Sequence, residues 1–330
     1  MKRYCFTTLL LVLCLSCSED NSGSNQEELT ISVVAENYLN EVLDIMETNS
    51  LNRNIIDWSS FRNEVFELAG TSQTIGEVYS SGAILRALAL LGDNHSFIQR
   101  ENGEFISAST AVCPAPTPPP GIESIPDNIG YIFVLGFNGR TGDEETTAFA
   151  ENLQNIIREK DAPELLGWIV DLRPNTGGNM FPMLAGIGPI LGEGIAGYFI
   201  GPNGDESSWS YSQGTSFSGQ VARVQVQNSY TLFNQNPKVA VLLNVATASS
   251  GEAIAISFIN RDNTTSFGTP TCGLSSGNNT YLLSDNSTFA LTEVVLADRQ
   301  KNTFGGKIQP DVTVNDDEII ASAITFIQND

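Results

Sequence analysis

The sequence predicts an α/β core preceded by a small helical unit, on three observations. From Ile31 to about Leu91 apolar residues recur at helical spacing, with Val34, Tyr38, Val42 and Met46 on one face and Ile84, Leu88 and Leu91 on another. Two short apolar runs, Gly130–Leu135 and Gly167–Leu172, flank a helical pattern over Glu144–Lys160, which is the strand–helix–strand rhythm of a parallel sheet. A third run, Val239–Leu243, is followed by a helical pattern over Glu252–Ile259. In such a core, sites are expected beyond the carboxyl ends of the strands.

At 330 residues the chain has room for this accessory unit and a larger core. Hydrophobic residues at 41% and charged residues at 16% exclude a disordered chain. The net charge of -22 argues against nucleic acid as a partner, because phosphate contacts demand Lys and Arg.

The N-terminus reads as an address. Met1-Lys2-Arg3, an apolar run from Leu9 to Leu15 and then Ser16-Cys17 form a secretory signal too short to span a bilayer. A small residue before a cysteine resembles the lipobox of bacterial lipoproteins, so residues 1–16 are expected to be removed and Cys17 lipidated. Cys14 stands where that motif prefers Leu or Val. The sequence Cys17-Ser18-Glu19-Asp20 also looks like the acidic tag of surface-exported lipoproteins, and polar residues 17–29 suit a flexible tether. The expected location is outside the cytoplasm, anchored at the outer membrane and facing the cell surface. Cys113 and Cys272 then remain in an oxidising compartment, where a disulfide between them and two separate buried thiols are both open.

Thr74 is positioned to cap the last helix of the accessory unit, and Gly92-Asp93-Asn94 ends it. This leaves His95, the sole histidine, in a loop or at the start of a strand. Pro114, Pro116, Pro118, Pro119 and Pro120 fix an extended linker. The expected organisation is therefore a helical domain over 30–112, a linker over 113–128 and a core over 129–330. Residues 201–229, rich in Ser, Gly and Asn, read as exposed hairpins or a flap.

Three segments carry chemistry. In Asp171-Leu172-Arg173-Pro174-Asn175-Thr176-Gly177-Gly178, paired glycines after a strand let backbone N–H groups face an oxyanion, or they form only a tight turn. In Ala246-Thr247-Ala248-Ser249-Ser250-Gly251-Glu252, a serine stands at a helix N-terminus, where the helix dipole favours charge developing on attack. The spacing of Ser249 and Glu252 equally fits a capping box. The third is Asp93-Asn94-His95-Ser96. A serine nucleophile needs a base of near-neutral pKa, and His95 is the one histidine available.

Together these segments, with Phe267–Gly273 and Gly305–Asp311, resemble the tail-specific, or C-terminal processing, serine proteases and their tricorn-like relatives, from about Ala83 to Val314. The resemblance implies a ClpP/crotonase-like α/β core and a serine endopeptidase that uses no metal or cofactor. It implies Ser249 as nucleophile and the N–H groups of Gly178 and Ser250 as oxyanion hole. Processing proteases place a lysine 25 residues after the serine, the position Leu274 holds here. The tricorn-like branch instead takes a histidine from an Asp-x-His segment, matched by His95. The serine that precedes that histidine in the branch is Asn94 here, and its glutamate position falls on Phe304-Gly305. Glu293, Ser96 and Asn94 are the candidates to orient the ring, Glu293 preferred because a carboxylate stabilises an imidazolium.

About 30 residues separate Ser96 from Asn128, too few for the PDZ domain that many relatives insert there. Peptides or unfolded proteins are then the expected substrates, with no PDZ capture of a C-terminus. A catalytically inactive surface receptor and a serine esterase are the rival readings on the same fold.

Overall fold

The computed structural model describes residues 30–117 and 124–329. The expected signal segment, Cys17, the tether and Pro118–Pro120 lie outside the described residues. No described helix is long and apolar enough to cross a membrane.

Four helices come first: α1 (Val33–Asn49), α2 (Trp58–Ala69), α3 (Ile75–Ser80) and α4 (Ala83–Leu90). Ser32, Asp57 and Thr74 cap the first three by accepting backbone N–H bonds. Thr74 thus caps the third helix, and Gly82 at φ 86° separates it from the last. Next come β1 (Phe97–Gln99), β2 (Phe105–Ser107), β3 (Ile129–Phe133), α5 (Glu144–Lys160), β4 (Gly167–Asp171) and α6 (Met180–Leu191). Four strands follow, β5 (Gly194–Ile200), β6 (Glu206–Ser212), β7 (Thr215–Ser218) and β8 (Val221–Gln225), then β9 (Lys238–Leu243), α7 (Ser250–Phe258) and β10 (Thr264–Gly268). The chain closes with β11 (Ser276–Leu282), β12 (Thr288–Ala297), β13 (Val312–Thr313) and α8 (Ile319–Gln328).

The parallel sheet runs β13-β10-β9-β4-β3. Its central strands are apolar on both faces. Trp168 and Val170 of β4, with Val239 and Val241 of β9, join the core around α6 and α7. Ile169, Ala240 and Leu242, one residue out of phase, pack on Ile319, Ile320 and Ala323 of α8. A strand covered on both sides reads as a continuous apolar run, which is why these strands are legible in the sequence.

A second, antiparallel sheet has the order β2-β1-β12-β5-β6-β7-β8, with β11 also paired to β12. Residues expected as exposed hairpins or a flap supply three of its strands as antiparallel hairpins, and their alternation buries Trp209 and Tyr211 on one face. The accessory helices do not keep a core of their own: Phe289 and Leu291 of β12 are buried among Leu39, Leu43, Ile84 and Leu88. That packing sets His95, two residues before β1, against the β11–β12 hairpin.

Candidate active site

The Ser249 turn follows β9 and the glycine turn follows β4, neighbouring strands of the parallel sheet. Asn175 joins them. Its carbonyl accepts the Ala248 N–H at 2.9 Å, and its Oδ1 accepts the Gly177 N–H at 3.0 Å. Thr247 Oγ1 donates to the Leu172 carbonyl at 2.9 Å, a second tie between the turns.

Both glycines have positive φ, 107° and 109°, and each is required for a different contact. A Cβ on Gly177 would stand 2.8 Å from Ser249 Cβ, and one on Gly178 would stand 2.1 Å from the Phe137 carbonyl oxygen. Ser249 itself sits at φ 53°, ψ -117°, a conformation costing a non-glycine residue about 1–3 kcal/mol. Glu252 stabilises it. This fully buried carboxylate accepts the N–H groups of Ser249 at 2.9 Å, Gly273 at 2.9 Å and Leu274 at 2.7 Å, and the Thr271 hydroxyl. Burial pushes the Glu252 carboxyl above its usual range, while these bonds favour the ionised form. Among the described residues neither the Gly178 N–H nor the Ser250 N–H has a partner. The Ser250 hydroxyl donates to the Gly178 carbonyl and draws the two turns together.

His95 lines the same cavity as Ser249, Ser250 and Gly178, a space of about 660 Å³. No hydrogen bond joins the ring to Ser249 here; such pairs commonly tighten only in the substrate complex. Its Nδ1 lies 2.9 Å from Ser276 Oγ on β11. Burial pulls the imidazole down to about 4, with the Asp93 charge opposing.

The three residues expected to orient the ring make their hydrogen bonds to other groups. Glu293 accepts from Asn279 Nδ2 and the Tyr281 hydroxyl of β11. Ser96 donates to Asp93 Oδ2 and accepts from the Thr292 N–H. Asn94 accepts both the N–H and the hydroxyl of Thr110. Ser276 escaped notice because a serine on a polar strand carries no signal by itself. The clue was positional: it stands two residues beyond Leu274, the vacant lysine position.

Asp93 is the carboxylate nearest in effect to the ring. Its Oδ1 accepts the N–H groups of His95 at 2.8 Å and Ser96 at 2.7 Å, fixing the loop, and its charge favours the imidazolium. Cys113 and Cys272 are joined in a disulfide with Cα atoms 5.3 Å apart.

Residues 128–314 match the profile of Peptidase family S41. The nisin-resistance protein of Lactococcus lactis subsp. lactis is 27% identical over 298 residues, spanning 88% of this chain and 86% of that protein. A lipoprotein from Streptococcus agalactiae has the same fold, with a TM-score of 0.70 at 23% identity over 89% of this chain and 96% of that one. The photosystem II D1 C-terminal processing protease gives 0.57 at 15% identity, over 90% and 98%.

Proposed function

The chain belongs to peptidase family S41, and we propose that it acts as a serine endopeptidase on peptides or unfolded proteins outside the cytoplasm, held to the membrane through a lipidated Cys17. The observation that carries this reading is the convergence of Ser249, His95 and two unpartnered N–H groups on one cavity.

The mechanism uses the tautomer in which His95 Nδ1–H donates to Ser276 Oγ and Nε2 is the acceptor. Nε2 takes the proton from Ser249 Oγ as the hydroxyl attacks the substrate carbonyl carbon. The oxyanion of the tetrahedral intermediate is held by the Gly178 and Ser250 N–H groups; one such donor is worth about 3 kcal/mol. The imidazolium, stabilised by the Asp93 charge, returns its proton to the leaving amine. Water, deprotonated by the same ring, then releases the acyl group from Ser249.

The Lactococcus relative is named for nisin resistance. By that likeness nisin is the favoured substrate to test, and a net charge of -22 attracts cationic peptides. The absence of a lysine at position 274 and of a carboxylate on the ring supports the rival reading, an inactive surface receptor.

A fluorophosphonate probe decides between them. Labelling that is abolished in Ser249→Ala and slowed in His95→Ala is expected. If no labelling depends on Ser249, the receptor reading takes over; labelling with ester turnover but no peptide cleavage would make the protein an esterase.

A further inference from the structure

After β2 the chain continues without a strand partner to the proline-rich segment. Phe105, Ser107, Ser109, Ala111 and Cys113 all line the cavity that holds Ser249 and His95. A period of two over this stretch means an extended backbone presenting one row of side chains to the cavity. Beyond Phe105 that row is small, so the segment forms a wall without filling the space behind it. The alternate row faces out, with Thr110 and Val112 exposed.

Beyond β2, besides the packing of Ala108 on the core of the accessory helices, two attachments hold this strap among the described residues. At one end the Thr110 N–H and hydroxyl both donate to Asn94 Oδ1 at 2.9 Å, one residue before His95. At the other, Cys113 is bonded to Cys272, whose N–H donates to the Thr247 carbonyl at 2.9 Å. Cys272 is followed by Gly273 and Leu274, whose N–H groups hold Glu252 and thereby the Ser249 turn. The strap therefore spans from the His95 loop to the loop behind Ser249.

Exposed hydrogen bonds alone hold an irregular segment weakly against the entropy of ordering it. A covalent link removes most of that freedom. We propose that the strap over residues 107–113, pinned by the Cys113–Cys272 disulfide, is a specificity-determining wall of the cavity: it admits an extended peptide to Ser249 and bars folded protein. What is cleaved rests on the peptidase reading above, but the control of access to Ser249 does not.

Access is measured without turnover by replacing Ser249→Cys and comparing its alkylation by N-ethylmaleimide and by a maleimide on a long polyethylene glycol, with the modified residue located by peptide mapping. With the disulfide intact, the bulky reagent is expected to lag far behind the small one. In the Cys113→Ser/Cys272→Ser background the bulky-to-small ratio should rise by about an order of magnitude, as a segment free to open locally no longer screens the site. An unchanged ratio overturns the proposal. Ser109→Trp, at an exposed position that tolerates bulk, should slow even the small reagent when the disulfide is present; full-speed labelling there would equally remove the strap from the cavity wall. Failure of the peptidase reading shows separately, as wild-type protein that no fluorophosphonate labels while the thiol ratio still responds to the disulfide.

Discussion

His95 Nδ1 stands 2.9 Å from Ser276 Oγ, so a hydroxyl across the sheet, not a carboxylate, fixes the plane of the ring. In the tautomer that leaves Nε2 basic, Nδ1–H donates to this hydroxyl. Ser276→Ala should lower kcat about 10- to 100-fold, the worth of a 1–3 kcal/mol hydrogen bond, with little change in KM. Ser276→Thr keeps the hydroxyl and should recover most of the loss. A merely structural role for Ser276 would instead move the thermal midpoint and leave kcat of the folded fraction intact.

The lowered imidazole sets the pH dependence. With its pKa near 4, His95 is neutral and able to accept a proton throughout the range above that value. The plot of kcat/KM against pH, or of the fluorophosphonate labelling rate, should rise through about pH 4 and be flat to neutrality. A rise only in alkaline solution, as a lysine base gives, would be incompatible with His95 as base. Stability follows the same group. Between about 4 and 6.5 the unfolded chain binds more protons at this position than the folded one. The contribution is therefore complete above 6.5 and is lost as pH falls toward 4, and His95→Gln should flatten that part of the stability curve.

Glu252 is expected to matter although it never reaches substrate. Its carboxylate accepts three N–H groups and one hydroxyl, and one of those N–H groups belongs to Ser249. Glu252→Gln replaces an acceptor oxygen by an NH₂ that meets a backbone donor, leaving buried polar groups unpaired at a cost of about 1–3 kcal/mol each. Urea denaturation should show that loss. Labelling of Ser249 measured on folded protein should fall as well, because the strained turn no longer has its anchor; labelling at the wild-type rate would confine Glu252 to stability.

How much of this was legible in the chain depends on what each part needs from its neighbours. The strands β4 and β9 are apolar on both faces and announce themselves; so does α5, whose pattern matches its observed bounds. The antiparallel sheet is different. Glu206–Ser212 and Ser276–Leu282 carry few apolar residues, and only their pairing shows that Trp209 and Tyr211 share a buried face. The Ser249 turn and His95 were visible because serine before a helix and a lone imidazole are rare enough to weigh. The Ser276 contact, between residues 181 apart in sequence, depends on how β11 pairs with β12, which no local pattern encodes. The disulfide was open for the same reason, since it turns on a Cα separation that only the fold sets.

The buried pair that opens the glycine motif gives the last prediction. Asp171 and Arg173 have side chains 0% and 2% exposed and are joined in a two-pronged contact, Nε to Oδ1 at 3.0 Å and Nη2 to Oδ2 at 2.7 Å. The Tyr131 hydroxyl adds a bond to Asp171 Oδ2 at 3.0 Å, tying β3 to the same carboxylate. Arg173 Nη1 has no hydrogen bond among the described residues and lies 3.8 Å from the half-exposed Asp316 carboxylate. Desolvating both charges offsets most of their attraction, whereas removing one strands the other, at about 3–5 kcal/mol. Asp171→Leu and Arg173→Met should therefore each lower stability by that amount, while the double variant should regain most of it, as a denaturant double-mutant cycle would measure. Additive losses would mean that the pair contributes through packing and not through charge.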